Sequence, residues 1–228
     1  MYSQTEPLYQ YNSVYSAQSN ALNYVPKSLY AEDDLITNNR ITCSEAKLNN
    51  EIIDNWTKFK FANYIDVDIQ YGPVTNLKVF KNKLYYFQDS AVGIAAVNER
   101  SLITDNNPGA LTLGTGDILA RFDYLVEHNG SSIINDRSII DSNNALYWYD
   151  RDKNVICQLG QGFLELSKAK NVQSYLYDIS YTDRLDPMSM YDAKYNEIQF
   201  RIHDKNIVFN ENLNVFTSFY THTPDFAL

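Results

Sequence analysis

The strongest constraint on the fold is a series of short apolar and aromatic segments that are separated by polar turns. Residues 77–79 and 84–87 lie on either side of one such turn, and residues 145–149 and 155–159 lie on either side of another. Short segments rich in β-branched and aromatic residues and bounded by polar turns are typical of antiparallel hairpins. The sequence therefore predicts hairpins in both places.

A third unit of the same kind begins near residue 198. Residues 198–202 alternate Ile, Gln, Phe, Arg and Ile, which predicts a strand with three apolar side chains on one face and two polar ones on the other. Apolar segments at residues 207–209 and 215–219 follow at hairpin distances. The sequence contains few helix signals. A Ser cap at residue 44 permits a short helix over residues 44–48, and a loop explains this segment equally well.

The predicted fold class is all-β, and the spacing of the hairpins favours one arrangement. The anchor residues of the three units, Leu84, Leu146 and Ile198, are 62 and 52 positions apart. A β-propeller blade of about 40–50 residues contains two hairpins of this kind. A β-propeller-like fold of antiparallel hairpins, incomplete in a chain of this length, is the first prediction, and a β-sandwich is the alternative.

The first forty residues differ from the rest of the chain. Their tyrosines are spread through Ser, Gln and Asn, with little aliphatic content and no clear period. Such a segment can seldom bury enough surface by itself. We therefore predict an extended N-terminal arm over residues 1–40, laid on another surface, and a β domain over residues 41–228.

Tyrosine is unusually frequent in this chain, which has 19 Tyr and 11 Phe against only 2 Trp. Aromatic residues fit the half-buried surface of a sheet, and the polar tip of tyrosine suits surfaces that are wet on one side. We interpret the excess mainly as sheet core and sheet rim, with a specific binding surface as the alternative.

The charge balance excludes some classes of function. The formal net charge is −9, from 19 Lys and Arg against 28 Asp and Glu, which argues against tight nucleic-acid binding through phosphate contacts. No apolar run reaches the roughly 20 residues of a membrane-spanning helix. Two cysteines are too few for a disulfide framework or a four-ligand zinc site.

Several segments resemble ligand-binding loops only in part. A calcium loop at residues 66–70 would need Gly and Glu where Tyr71 and Leu77 stand. The acidic residues 150–154 are explained more simply by a hairpin turn. The glycines at residues 113–117 lack the lysine of a phosphate-binding loop. We predict no metal site and no cofactor.

No catalytic arrangement is visible in the sequence. His128, His203 and His222 lie far apart, and none has a partner at ligand spacing. Cys157 lies within an apolar strand and is most simply a small core residue, whereas Cys43 lies in a polar stretch without activating neighbours. The sequence therefore predicts no catalytic, cofactor-binding or metal-binding residue, and a protein that is not an enzyme.

The order of several short blocks is more informative than any one block. The blocks occupy residues 54–59, 66–77, 83–88, 97–103, 113–116, 191–197 and 216–220. In order and spacing they resemble the tail stabilisation, or muzzle, proteins of crAss-like bacteriophages, over about residues 40–226.

The resemblance implies a structural virion protein with a β-propeller similar to the tail nozzles of other short-tailed phages. It implies a tail muzzle, nozzle or stabilisation subunit around the DNA exit channel, assembled in the host cytoplasm. The implied partners are other tail subunits and further copies of the chain, in a homo-oligomer that is hexameric by analogy. Family members are usually longer than 228 residues, so we expect a fragment or a shortened relative.

Two other functions stay open at this point. A carbohydrate-binding β module would use exposed aromatic rings, and Tyr147, Trp148 and Tyr149 form the best-placed cluster, although strand core explains them more simply. A glycoside hydrolase would need two carboxylates roughly 5–9 Å apart in one pocket.

Overall fold

The computed structural model describes residues 37–45, 57–60, 63–97, 101–103, 111–113, 119–179, 186–203 and 205–222. Most of the predicted arm, the glycines at 114 and 116, and most of the candidate helix at 44–48 lie outside these ranges. The chain divides into two compact units, one formed by residues 1–68 and 96–121, the other by residues 69–95 and 122–228.

The described part of the first unit contains two short antiparallel strand pairs. They are β1 (Arg40–Thr42) with β2 (Tyr64–Asp66), and β6 (Ser101–Ile103) with β7 (Leu111–Leu113). The Arg40 guanidinium donates to both carboxylate oxygens of Asp66, at 2.7 and 2.8 Å, and lies over the ring of Tyr64. This hydrogen-bonded ion pair lowers the pKa of the Asp66 carboxyl.

The second unit is built around three four-stranded antiparallel sheets. The first sheet contains β3 (Val74–Phe80), β4 (Lys83–Gln88), β5 (Ala91–Val97) and β8 (Leu119–Glu127). The middle sheet contains β9 (Ile140–Asp141), β10 (Leu146–Asp150), β11 (Val155–Leu159) and β12 (Phe163–Glu165). The third sheet contains β13 (Met188–Asp192), β14 (Glu197–Ile202), β15 (Lys205–Asn210) and β16 (Val215–Tyr220).

Short helical segments connect and flank these sheets. They are the 3₁₀ turns η1 (Ile69–Tyr71) and η2 (Ile133–Ser138) and the helices α1 (Leu166–Ala169) and α2 (Gln173–Ile179). The sequence analysis did not predict α1 or α2, because each is only one or two turns long and has no distinct apolar period. Leu176 and Ile179 of α2 nevertheless pack into the core.

The all-β fold class is confirmed, and so are the three predicted hairpins. The sheets are open, and each has its strands in sequence order, an arrangement consistent with a propeller-like fold or a sandwich. Asparagine forms many of the turns: Asn82, Asn154, Asn196 and Asn214 have φ values of 61°, 54°, 52° and 55°. Asn tolerates this left-handed region better than most residues, which accounts for part of the asparagine content.

The middle sheet is buried on both faces. Leu146 and Trp148 of β10 pack in one apolar cluster with Phe87 of the first sheet. Tyr147 and Tyr149, which alternate with them, pack in a second cluster with Phe200 of the third sheet, among other residues. Because both faces are covered, residues 146–149 of β10 are all apolar or aromatic and do not alternate with polar residues, as expected for a strand between two layers.

The third sheet has two chemically different faces. Ile198, Phe200 and Ile202 face the middle sheet, which confirms the predicted apolar face of β14. The other face carries the two predicted polar side chains, and these are covered. Gln199 and Arg201 are each only 7% exposed, because neighbouring side chains cover them and hydrogen bonds hold them in place.

Candidate assembly surface

The middle and third sheets are joined at one end by a carboxylate. Glu211, in the turn between β15 and β16, accepts hydrogen bonds from the hydroxyls of Ser142 and Tyr147, the latter at 2.9 Å. Its second oxygen accepts a bond from the Asn144 side chain at 3.1 Å. All three donors belong to the middle sheet or to the turn that precedes β10. We call Glu211 with these three donors the carboxylate clasp.

The clasp changes the acidity of its tyrosine. Burial, and secondly the hydrogen bond to the Glu211 carboxylate, raise the pKa of Tyr147 far above its ordinary range. The Tyr147 hydroxyl also accepts a bond at 3.0 Å from the amide of Gln158 on β11. The phenol is therefore a fixed donor to Glu211 and holds the two sheets in one alignment.

Further hydrogen bonds connect four turns at this end of the unit. Lys81, in the β3–β4 turn, donates to the carbonyl oxygen of Asn144 at 3.1 Å. The backbone N–H of Glu211 donates to the carbonyl of Asn196 at 2.9 Å. The Tyr191 hydroxyl donates a hydrogen bond to the side-chain oxygen of Asn196 at 2.9 Å and accepts one from the side-chain amide of Asn143 at 3.3 Å. Turns from all three sheets thus form one connected surface.

We name this surface the turn rim and define it as residues 79–83, 142–145, 192–197 and 211–215. It contains no group of three or more metal-ligating side chains. Its polar side chains include six asparagines, three lysines and three carboxylates. Four of its apolar side chains are strongly exposed, namely Val79 (63%), Tyr195 (56%), Leu213 (64%) and Val215 (44%). The sequence analysis did not single out any of these residues.

The aromatic cluster considered for sugar binding is part of the core. Tyr147, Trp148 and Tyr149 are 1%, 0% and 3% exposed, so none presents a ring face to a ligand. Burial raises the pKa of Tyr149 to about 12, and its hydroxyl donates to the side chain of Asn154. The strand-core interpretation of these residues is confirmed, and the carbohydrate-binding hypothesis loses the residues that supported it.

The two acidic segments do not assemble a metal site in the structure. Asp66 is engaged by Arg40, and the Asp150 carboxylate accepts backbone N–H bonds from Asp152 and Lys153, at 3.0 and 3.2 Å, as in an Asx turn. Burial raises the pKa of Asp150 to about 6. Within the described ranges, no three His, Cys, Asp or Glu side chains come together as metal ligands.

The cysteines and histidines are not brought together either. Cys157 is buried in β11, where the Asn129 amide donates to its sulfur at 3.4 Å, and burial raises the pKa of the thiol to about 12. Cys43 belongs to the other unit and donates to the carbonyl of Asn63. The imidazole of His222 lies 3.2 Å from the Gln199 amide oxygen, on the polar face of the third sheet. No helix among the described residues is long and apolar enough to cross a membrane.

Comparison with known proteins identifies the family of this chain. The family model of the Crassvirus muzzle protein matches residues 1–228. The curated muzzle protein of Bacteroides phage crAss001 is 24% identical over 230 aligned positions, which include 93% of this chain. The chain spans 16% of the length of that relative. The resemblance inferred from the order of the sequence blocks is confirmed: the chain belongs to the Crassvirus muzzle protein family.

Proposed function

We propose that the chain is a structural subunit of a phage virion, located at the tail around the DNA exit channel. The family match carries this proposal, because the matched relative is a muzzle protein. The relative is much longer than this chain, so the role is proposed here for the portion that the chain represents.

The construction of the second unit supports a mechanical role. Three sheets are packed face to face through two apolar clusters, and the carboxylate clasp fixes one end of the stack. A buried hydrogen-bond network of this kind restricts sliding between layers, because each donor would lose its acceptor. Such a stack suits a part that must keep its shape while DNA passes.

The charge of the chain suits the proposed position. A net charge of −9 repels phosphate groups, so DNA would not adhere to a wall of this composition. In this proposal the chain forms a homo-oligomeric ring, hexameric by analogy with tail nozzles, and contacts other tail subunits. It acts without a cofactor and without catalysis, and assembly takes place in the host cytoplasm before the tail is complete.

The location can be tested in virions that carry the full-length gene product. An epitope inserted after Asp152, an exposed residue of the β10–β11 turn that lies outside the turn rim, would be detected by gold-labelled antibody in electron micrographs. We expect the label at the distal end of the tail in intact particles. Label at the capsid, or virions that lack the protein altogether, would contradict the proposal.

The predicted arm can be tested separately. In this proposal residues 1–40 wrap onto a neighbouring subunit, since amphipathic aromatic residues are favoured at interfaces. Deletion of residues 1–36 is expected to lower the mass of the oligomer measured by light scattering. An oligomer that keeps its mass after this deletion would contradict the account of the arm and would leave the virion role unaffected.

A further inference from the structure

We propose that the side chains of Lys153 and Asn129 join covalently in the folded chain, forming an isopeptide bond with release of ammonia, and that Glu165 catalyses this step. The inference goes beyond the proposed virion role and does not depend on it. It rests on the placement of these three side chains, which come from three different segments of the second unit. The reaction takes place once in each chain and consumes its own residues, so it is a modification and not an enzymatic activity.

The three side chains meet at the middle sheet. Asn129 follows β8, Lys153 lies in the turn between β10 and β11, and Glu165 ends β12. The Lys153 Nζ lies 2.7 Å from the Asn129 Oδ1, and the Asn129 Nδ2 lies 3.1 Å from the Glu165 Oε1. The pairing of β11 with β12 sets Glu165 directly opposite Cys157. An amine, an amide and a carboxylate are therefore adjacent in the folded chain before any bond forms.

The orientation of the Asn129 amide is fixed by its neighbours. A lysine ammonium only donates hydrogen bonds, so it must face the amide oxygen, and a carboxylate only accepts them, so it must face the amide nitrogen. The sulfur of Cys157 accepts a second hydrogen bond from the same nitrogen, at 3.4 Å. The carbonyl group is thus turned toward the lysine and the leaving nitrogen toward Glu165, which is the arrangement that acyl transfer to the lysine requires.

The backbone around Asn129 has little freedom to move. Asn129 is 3% exposed, and the N–H of Ser131 donates to the carbonyl oxygen of Gln88 at 2.9 Å. A Cβ atom added at Gly130 would collide with that same oxygen. An Asn–Gly pair ordinarily cyclises when the glycine nitrogen attacks the side-chain carbonyl, which requires the backbone to rearrange. Because this backbone is packed against the turn after β4, the Lys153 nitrogen is the favoured nucleophile.

The carboxylate of Glu165 is suited to transfer a proton. Its pKa is lowered chiefly by the hydrogen bond from Lys168, and the charge of Lys153 contributes to the same shift. Glu165 is therefore ionised at neutral pH and can accept a proton from the lysine nitrogen. An amine attacks only in its uncharged form, so the Lys153 ammonium first releases one proton to water.

The bonds made and broken balance without any other reagent. The uncharged Nζ of Lys153 attacks the Cγ of Asn129, and the carbonyl electron pair moves onto Oδ1. Glu165 accepts a proton from Nζ and passes it to Nδ2 as a general acid. The electron pair returns from Oδ1, the Cγ–Nδ2 bond breaks, and ammonia leaves and takes up a proton from water. Nothing is oxidised or reduced, and the fixed placement of the reacting groups lowers the barrier.

The bond would tie the first sheet to the middle sheet. Asn129 directly follows the last strand of the first sheet, and Lys153 belongs to the central hairpin of the middle sheet, 24 positions later in the chain. A cross-link of this kind restricts the unfolded chain and so stabilises the folded one. The carboxylate clasp already joins the middle sheet to the third sheet, so all three layers would be fastened together.

Mass spectrometry of the purified full chain tests the bond directly. We expect the intact mass to fall short of the sequence mass by one ammonia molecule. Trypsin does not cleave after an acylated lysine, so digestion should yield residues 122–137 joined to residues 152–168. Lys153→Arg keeps the positive charge and the hydrogen-bond donors but has no reactive amine, and it should keep the full mass. Lys83→Arg, at an exposed lysine outside this site, is the matched control and should lose ammonia as the wild type does.

Glu165→Gln tests the role of the carboxylate. The glutamine oxygen can still accept a hydrogen bond from Asn129, but it cannot take up the proton. We expect the joined peptide to form about a hundredfold more slowly in this variant than in the wild type. Its formation can be followed by mass spectrometry at about pH 9, where amines are less fully protonated. Circular dichroism verifies that each variant is folded.

Three results would overturn the proposal. The first is a wild-type chain whose two peptides stay separate and keep their full masses after prolonged incubation at about pH 9. The second is a loss of ammonia that is confined to residues 122–137 and persists in Lys153→Arg, which would identify cyclisation at Gly130 instead. The third is a bond that forms as fast in Glu165→Gln as in the wild type, which would remove Glu165 from the mechanism. None of these results affects the location of the protein in the virion, which antibody labelling tests on its own.

Discussion

The middle and third sheets share one topology but bury their central strands in different ways. In the middle sheet, Trp148 and Tyr147 point to opposite faces, and each lies in an apolar cluster. In the third sheet, Phe200 lies in an apolar cluster, whereas its neighbour Gln199 is buried among amides and an imidazole. Low exposure therefore has two physical origins in this molecule, namely apolar packing between layers and hydrogen bonding over a polar face.

The two kinds of burial should respond differently to substitution. Removal of a side chain from an apolar layer leaves a cavity and loses transfer free energy. Removal of a polar side chain from the hydrogen-bonded face loses a partner, and the cost depends on what is left unsatisfied. The following predictions test this difference, beginning with the largest effect.

Trp148→Ala should cause the largest loss of stability, because Trp148 is fully buried between the first and middle sheets. Its ring packs at 5.5 Å from that of Phe87 and at 6.1 Å from that of Phe163. Truncation of a large buried aromatic residue costs about 3–5 kcal/mol. Urea unfolding followed by far-ultraviolet circular dichroism measures this change. Tyr177→Ala, at a 51% exposed position of α2, is the control and should stay within about 0.5 kcal/mol of the wild type.

Glu211→Ala should have the second largest effect, because it opens the carboxylate clasp between the two sheets. Tyr147 and Ser142 would lose a charged acceptor, and a buried donor left unsatisfied costs about 1–3 kcal/mol. The neighbouring turn residue Asn212 is exposed, so Asn212→Ala serves as the control. Equal unfolding free energies for these two variants would contradict the role of the clasp.

The hairpins were the part of the fold that could be predicted, because their signals are local. The segments at 145–149 and 155–159 and the alternation at 198–202 indicated strands by residue type and period. Short helices such as α1 gave no signal, since their stability comes from packing and not from local propensity. The same limit applies to side chains that meet only after folding.

The clasp and the turn rim could not be predicted for that reason. Glu211 and Tyr147 are 64 positions apart, and nothing local to either residue indicates the other. The polar face of β14 shows the limit in another way. The alternating pattern correctly placed Gln199 and Phe200 on opposite faces of the strand. The period of a strand does not reveal whether its polar face is open to water or covered by other side chains.

Asp150 should make the stability of the middle sheet dependent on pH. Burial raises the pKa of this carboxyl from the ordinary 3.8 to about 6, so folding favours its protonated form. The protonated Asp150 carboxyl stabilises the fold fully below about pH 4, and this stabilisation is lost as the pH rises through 6. The unfolding free energy should fall by about 1–2 kcal/mol over this range. Thermal or urea unfolding at several pH values measures the slope.

Asp150→Asn keeps an acceptor for the N–H groups of Asp152 and Lys153 and removes the titration. The variant should therefore lose most of the slope between pH 4 and 7. Burial, and the nearby charge of Asp152, also raise the pKa of Asp89, which adds to the slope in the same direction. A wild-type protein whose stability rises over this pH range would contradict the assignment.

Gln199→Leu should have the smallest effect and the one most specific to the polar face. The Gln199 oxygen accepts a bond from the Asn206 amide at 3.1 Å, and Asn206 is fully buried. Leucine has a similar volume but cannot accept a hydrogen bond. We expect the unfolding free energy to fall by about 1 kcal/mol, because the burial of additional apolar atoms partly offsets the lost hydrogen bond. His222 lies 3.3 Å from the same Asn206 nitrogen, so its imidazole can take over as the acceptor.

The double variant Gln199→Leu with His222→Ala should therefore lose more stability in urea unfolding than Gln199→Leu alone. If Gln199→Leu stabilised the protein, the polar face would be an ordinary core surface and its contrast with the middle sheet would disappear.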